Sequence, residues 1–207
     1  MKILFQGDSI TDCGRVNTAN GLGTGYALLV SSKLGYESPG KYEFINRGIS
    51  GNRVTDVYTR IKSDIINLKP DFMSILIGVN DVWHEFNFQN GVSAEKYEKI
   101  YSMLIEEVKE ALPDLKMMIL EPFLTHGSAV DDKYGEFYCE VRKRAEAAKR
   151  IAEKYSIEFI PLQSYFDIEC KRASDENWTN EGVHPTCLGH QMIANEWIKA
   201  FKKIQNL

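Results

Sequence analysis

The stretch that decides the fold is Lys2-Ile3-Leu4-Phe5-Gln6-Gly7-Asp8-Ser9-Ile10-Thr11, close to the start of the chain. A short apolar run that stops at Gly, Asp and Ser is typical of a buried β-strand followed by a tight turn. In an open α/β sheet, ligands bind at the carboxyl ends of the strands. The sequence therefore predicts that Ser9 lies at the rim of a sheet, where a substrate can reach it.

The composition is that of a soluble globular protein and suits a single domain over residues 1–207. The 207 residues are 43% hydrophobic and 26% charged, with a formal net charge of −4. A chain of this length can bury one substantial core. Binding a phosphate backbone requires grouped lysines and arginines, whereas the basic residues here are spread along the chain. We therefore expect no nucleic-acid partner.

Neither a membrane nor an oxidising compartment is indicated. No stretch approaches the roughly 18 to 20 apolar residues that a membrane-spanning helix needs, and the first residues lack the apolar region of a signal peptide. The four cysteines, Cys13, Cys139, Cys170 and Cys187, stand far apart without a C-x-x-C pair. This spacing favours free thiols over a disulfide framework or a zinc site. The expected location is the cytoplasm.

Apolar runs alternate with amphipathic patterns along the whole chain. After the first strand, strands are expected at 42–45, 71–77, 115–120 and 157–161. Helices are expected at 26–34, 54–68, 93–112, 134–155, 165–173 and 186–203. Such alternation implies right-handed crossovers, hence a three-layer α/β/α sandwich around a five-stranded parallel sheet. For five strands the default order is flavodoxin-like, 2-1-3-4-5. Segments 83–91 and 123–133 are expected to be loops that carry specificity.

Four polar turns with glycines stand out between these elements. They are Gly7-Asp8-Ser9, Ser50-Gly51, Gly78-Val79-Asn80 and Glu181-Gly182-Val183-His184. The carboxyl ends of parallel strands meet at one edge of a sheet, so these turns are expected to converge. Together and in this order they resemble the SGNH hydrolases, also called GDSL-type esterases and lipases, over essentially the whole chain.

The resemblance gives each turn a role in a serine hydrolase site. It implies that Ser9 is the nucleophile and His184 the base that takes its proton, without which a serine hydroxyl is a weak nucleophile. It also implies an oxyanion hole formed by the backbone N–H groups of Ser9 and Gly51 and the side-chain amide of Asn80. Gly51 is preferred to Gly48 because the donor of the family follows the Ile-Ser type pair after the strand. Each such donor is worth roughly 3 kcal/mol in comparable hydrolases.

The residue that orients the histidine departs from the family pattern. The family has aspartate three residues before the histidine, where this chain has Glu181. Glutamate can orient an imidazole, as Ser-His-Glu triads on other folds demonstrate. Asp175 and Glu176 are nearby substitutes, and a Ser-His dyad held by a backbone carbonyl is the remaining alternative.

The other polar and aromatic residues near these turns have weaker signals. Asp8 and Asp81 are expected to be structural turn residues, and His190 on the last helix is expected to be packed or solvated. The candidates for substrate contact are Trp83, His84 and His126. The four histidines show no i, i+4 pairing, so no metal site is predicted, and no cofactor is expected.

The predicted function is that of a serine esterase that works through an acyl-enzyme. The resemblance favours a short acyl group, acetyl first, on a carbohydrate or similar alcohol, so the partner is a small-molecule ester such as an acetylated sugar. A lysophospholipase or thioesterase would share the site and prefer longer chains. A non-catalytic carbohydrate-binding protein would follow if Glu181 had uncoupled the triad. A flavodoxin-type nucleotide protein is disfavoured because no phosphate-cradling loop follows the first strand. The sequence carries no signal for the oligomeric state.

Overall fold

A five-stranded parallel sheet organises the chain in a computed structural model that describes residues 1–207. The strands are β1 (Lys2–Gly7), β2 (Glu43–Asn46), β3 (Phe72–Leu76), β4 (Lys116–Leu120) and β5 (Glu158–Ile160). Their order is β2-β1-β3-β4-β5, and every neighbouring pair is parallel. The predicted flavodoxin-like α/β sandwich is therefore confirmed, with each strand within two residues of its predicted bounds.

Nine α-helices connect and cover the strands. They are α1 (Ser9–Asp12), α2 (Tyr26–Glu37), α3 (Val54–Thr59), α4 (Ile61–Asp64), α5 (Val79–Phe88), α6 (Ala94–Ala111), α7 (Tyr134–Lys154), α8 (Leu162–Glu169) and α9 (Cys187–Gln205). Short 3₁₀ turns occupy Arg15–Asn17, Ile66–Leu68, Asp131–Lys133 and Asp175–Asn177. None of the helices combines the length and apolar character required to cross a membrane.

Alternate residues of β1, which lies between β2 and β3, are buried in two separate cores. Ile3 and Phe5 of β1 belong to the core under α2 and α9, whereas Leu4 belongs to the core under α3, α6 and α7. This division follows from the two-residue side-chain period of a strand. A strand buried on both faces reads as a continuous apolar run, which is the pattern that predicted β1. Helices therefore cover both faces of the sheet, and the turns that follow the strands lie at its carboxyl edge.

The segment expected to form one helix over 54–68 is broken into α3, α4 and a 3₁₀ turn. The break falls at Arg60, whose backbone leaves the helical region at φ −107° and ψ 17°. The Arg60 side chain points inward and donates to the Arg47 carbonyl over 2.8 Å and to Gln6 Oε1 over 2.7 Å. These partners lie next to the ends of β2 and β1, so contacts distant in sequence override the local helical pattern.

Two further predicted boundaries are wrong. The segment 83–91 was expected to be a loop, but residues 83–88 belong to α5, which ends where Gln89 adopts the left-handed conformation at φ 52°. Val79, Val82 and Phe86 face one apolar cluster at helical spacing, and this packing stabilises α5. The helix expected over 165–173 instead spans Leu162–Glu169 and begins directly after Pro161.

Candidate active site

Ser9 stands where the first strand turns into α1. Gly7 ends β1 in a place with no room for a side chain, since a Cβ there would lie 2.4 Å from the Leu76 carbonyl oxygen. Asp8 caps α1 by accepting the Ile10 N–H over 3.0 Å. Burial raises the pKa of the Asp8 carboxyl to about 7. Asp8 is thus a buried turn residue, as expected, and it presents Ser9 as the first residue of the helix.

The chain brings Ser9, His184 and Glu181 into one hydrogen-bonded line. Ser9 Oγ lies 2.8 Å from His184 Nε2. On the other side of the ring, His184 Nδ1 lies 2.5 Å from Glu181 Oε1. Because the carboxylate accepts the Nδ1 proton, Nε2 is left free to accept the serine hydroxyl. This is the arrangement of nucleophile, base and orienting acid.

The carboxylate of Glu181 is fixed by its own turn. It also accepts the backbone N–H of His184 over 2.9 Å, so it curls back across the three residues that separate it from the histidine. Gly182 makes this possible with φ +101°, and its carbonyl accepts the Thr125 N–H over 2.9 Å. The longer glutamate side chain therefore reaches the imidazole inside a turn that is anchored to the segment after β4.

The charges of this pair favour an imidazole that is easily protonated. The hydrogen bond and the charge of Glu181 raise the pKa of His184 above its ordinary value, against the effect of burial. Burial pushes the pKa of Glu181 upward, but the His184 contacts outweigh it and leave the pKa below its ordinary value. A carboxylate that stays ionised stabilises the imidazolium that forms when serine gives up its proton.

Asp175 and Glu176 do not take the place of Glu181. The Asp175 carboxylate accepts the backbone N–H of His126 over 2.8 Å, and the Glu176 carboxylate accepts the Ser174 hydroxyl over 3.2 Å. Neither hydrogen bond involves His184. The geometry therefore favours Glu181 over both nearby substitutes.

Two free donors follow β2 and β3, the strands that flank β1 on either side. The Gly51 N–H has no hydrogen-bond acceptor within the protein, and Gly51 adopts φ +80°, a conformation that favours glycine. Asn80 is the second residue of α5. Its side-chain amide donates one hydrogen to the Asn52 carbonyl over 3.1 Å, and its second amide hydrogen has no acceptor within the protein. The Gly48 N–H is used by Asn46 Oδ1 over 2.9 Å, so Gly48 has no donor to offer.

Two carboxylates hold the turn that carries Gly51. Asp12 accepts the N–H and the hydroxyl of Ser50 over 3.1 and 3.0 Å. Asp81 is fully buried and accepts the Val54 N–H with both oxygens, over 3.1 and 3.2 Å. Burial raises the pKa of Asp81 well above its ordinary value. Asp81 is therefore structural, as expected. Its hydrogen bond to Val54 connects α5 to the turn that carries Gly51. No local sequence pattern predicts the pairing of Asp81 with Val54.

The aromatic and histidine candidates divide by their contacts. The Trp83 ring packs against His184 with centroids 5.8 Å apart, and against Phe137. The His84 ring faces Gly51. The His126 ring stacks on Tyr134 at 3.7 Å and bonds Asp131, contacts that do not involve the Ser9–His184 pair.

His190 lies behind the site rather than in it. Its side chain is buried, and Nδ1 accepts the Tyr26 N–H over 3.2 Å. Burial lowers the pKa of His190 to about 4, so the ring is neutral at neutral pH. Of the two environments expected for His190, packed or solvated, the structure shows the packed one.

Comparison with known proteins finds relatives that match nearly the whole chain. A sequence profile of the GDSL-like lipase/acylhydrolase family matches residues 5–192. An acetylxylan esterase of Geobacillus stearothermophilus is 32% identical over 96% of this chain and 92% of that protein. The crystal structure of that esterase, Axe2, superposes with a TM-score of 0.85 at 32% identity, covering 96% of this chain and 92% of the other. A structure from Parabacteroides merdae classed with the GDSL-like lipases is 38% identical with a TM-score of 0.91, over 96% and 94% of the two chains.

The solved variants of Axe2 show which residue types matter in that relative. Variants described as catalytic mutants replace a serine, an aspartate and a histidine of Axe2. In Axe2 the aspartate precedes the histidine by three positions, the spacing that separates Glu181 from His184 here. With a family profile over most of its length and relatives above 30% identity, the chain belongs to the GDSL-like lipase/acylhydrolase family, the SGNH hydrolases.

Proposed function

We propose that this chain is an acetyl esterase of carbohydrates, with Ser9 as nucleophile, His184 as base and Glu181 as the acid that orients it. The observation that carries the proposal is the continuous line from Ser9 Oγ through His184 to Glu181, over 2.8 and 2.5 Å. The free donors of Gly51 and Asn80 follow the two strands that flank β1, at the same edge of the sheet. A group ready to attack a carbonyl and donors ready to receive its oxygen are the two requirements of acyl transfer.

The reaction has two steps. Ser9 Oγ attacks the ester carbonyl while His184 Nε2 takes the hydroxyl proton, and the developing oxyanion is bound by the N–H groups of Ser9 and Gly51 and the amide of Asn80. His184 then gives its proton to the alcohol, which departs and leaves the acyl group bound to Ser9 Oγ. Water then attacks the acyl carbonyl while His184 takes a proton from it, and His184 returns that proton to Ser9 Oγ as the bond to the acyl group breaks and the acid product leaves. Glu181 stabilises the imidazolium in both steps.

The relatives support both the acyl group and the alcohol of the proposed substrate. The relative with 32% identity over nearly the full length of both chains is an acetylxylan esterase, which supports an acetylated carbohydrate as the substrate class. The Gly51 turn has a polar neighbour in His84, whose Nε2 would lie 4.0 Å from a Cβ built on Gly51. A lysophospholipase or thioesterase would need a long apolar path for its acyl chain.

The acyl-chain profile is the test of this proposal. We expect p-nitrophenyl acetate to be hydrolysed with a kcat/KM at least tenfold above that of p-nitrophenyl octanoate, and acetylated xylooligosaccharides to release acetate. The profile is measured on the purified protein with acetate, butyrate, hexanoate and octanoate esters. A preference for octanoate would favour the lysophospholipase or thioesterase alternative. Binding of the oligosaccharide without release of acetate would favour the carbohydrate-binding alternative.

Replacing Asn80 by alanine tests the oxyanion hole. We expect kcat for p-nitrophenyl acetate to fall by roughly 10²- to 10³-fold with a smaller change in KM, because a donor to the oxyanion acts mainly in the transition state. Asn87→Ala is a matched control, since Asn87 is an exposed asparagine on the same helix α5. A loss smaller than threefold in Asn80→Ala, with unchanged thermal unfolding, would remove Asn80 from the oxyanion hole.

A further inference from the structure

His84 is a polar side chain beside the site that lacks a partner in the protein. It lies on α5, four residues after Asn80, and is half-buried. A Cβ built on Gly51 would have His84 Nε2 as its nearest neighbour, at 4.0 Å. The ring nitrogens of His84 make no hydrogen bond to any other residue, although the backbone carbonyl of His84 accepts the Asn90 N–H. Both ring nitrogens of His84 are therefore available to hydrogen-bond a ligand at the Gly51 turn.

The charge around His84 keeps the ring neutral. Burial and the positive charge of Arg53 lower the pKa of His84, against a smaller effect of Asp56 in the other direction. Arg53 is itself occupied, because its guanidinium donates to the Asp56 carboxylate and to Asn90. A neutral imidazole has one N–H donor and one acceptor nitrogen, the pair of groups that a sugar hydroxyl can satisfy.

The His84 ring has one aromatic neighbour on α5. The rings of His84 and Phe88 are nearly perpendicular, with centroids 5.7 Å apart and planes at 87°. Phe88 is itself largely exposed, at 69%. The neighbouring residue Trp83 points the other way, against His184. Successive residues of α5 thus flank the reaction centre, Trp83 on the side of the base and His84 on the side of the oxyanion loop.

We propose that His84 is a specificity-determining residue that hydrogen-bonds a free hydroxyl of the sugar next to the acetylated carbon. This inference rests on the proposed function. When the ester carbonyl oxygen is bound at Gly51, the alcohol portion lies within reach of the residues around that turn, and a vicinal hydroxyl of a sugar lies a few ångström from the ester oxygen. An aryl acetate has no such hydroxyl and gains nothing from His84.

The experiment compares selectivity between two substrates. The readout is the ratio of kcat/KM for an acetylated xylooligosaccharide to kcat/KM for p-nitrophenyl acetate, which cancels any change common to both. In His84→Phe, which keeps the volume of the ring without its nitrogens, we expect this ratio to fall roughly three- to tenfold, the effect of one neutral hydrogen bond. His84→Gln keeps a donor and an acceptor and is expected to recover most of the ratio.

The outcomes separate this inference from the function on which it rests. An unchanged ratio in His84→Phe would overturn the role of His84 while leaving the esterase proposal intact. A wild-type protein that releases no acetate from the oligosaccharide would overturn both. If His84→Phe does not fold, ¹⁵N NMR of the histidine rings in Ser9→Ala decides the matter. Addition of the acetylated oligosaccharide is expected to shift the His84 resonances, and unshifted resonances at saturating ligand would contradict the inference.

Discussion

Ser9→Ala is expected to lower kcat for p-nitrophenyl acetate by about 10⁶-fold, the loss measured for removal of a serine nucleophile in a comparable hydrolase. The Ser9 hydroxyl has one side-chain partner, His184 Nε2 at 2.8 Å, so the substitution removes the nucleophile and little else. A residual rate above that in water is expected from the oxyanion donors alone. The rate is followed by release of p-nitrophenol at saturating substrate.

The control for this substitution is a serine remote from the site. Ser32→Ala, at an exposed position on α2, is expected to keep wild-type kinetics. Circular dichroism and the thermal unfolding midpoint of Ser9→Ala establish that the fold is retained. If Ser9→Ala kept more than one per cent of the wild-type kcat, the acyl-enzyme mechanism would be wrong.

Glu181→Gln is expected to lower kcat by roughly 10³- to 10⁴-fold, because a neutral amide carries no charge to stabilise the imidazolium that forms. The substitution preserves the size of the side chain, so the turn from Glu181 to His184 should keep its backbone hydrogen bond of 2.9 Å. A loss smaller than tenfold would show that Ser9 and His184 work as a dyad. Glu181→Asp is the matched comparison, since it keeps the charge and shortens the reach.

The pH profile of Glu181→Gln adds a second readout. His184 acts as a base only when its imidazole is neutral, so kcat/KM rises as the pH increases through its pKa. In the wild type, the hydrogen bond and the charge of Glu181 raise this pKa above its ordinary value. Without the carboxylate the pKa falls, and the acid limb of the profile is expected to move to lower pH. An acid limb at the same or higher pH would mean that another group sets it.

The sheet and the four turns could be predicted because their signals are local. Each strand is a short apolar run closed by turn residues, and a run buried on both faces looks the same wherever it lies in a parallel sheet. The placement of Ser9, Gly51 and Asn80 at one edge then follows from the topology, whereas His184 follows no strand directly and is assigned to the site by the family resemblance. The sequence pattern therefore predicts which residues share the site, although their mutual distances come from the structure.

Other features depend on contacts that no local pattern contains. The break at Arg60 is fixed by Gln6, a partner 54 positions away in the sequence. The sequence does not predict α5 as a helix, because its asparagines and aspartate have weak helix propensity, although Val79, Val82 and Phe86 follow a helical period. The orientation of Glu181 depends on a rotamer, and the pairing of Asp81 with Val54 depends on how α5 packs.

The central claim is that Ser9 is the activated nucleophile of an acyl-transfer site. Incubation of the wild-type protein with a fluorophosphonate, followed by intact mass spectrometry and peptide mapping, measures this directly. We expect one adduct per chain, located on Ser9, and loss of esterase activity when it forms. In His184→Ala the adduct is expected to form more slowly than in the wild type. An unmodified protein, or an adduct on another serine with Ser9 untouched, would contradict it.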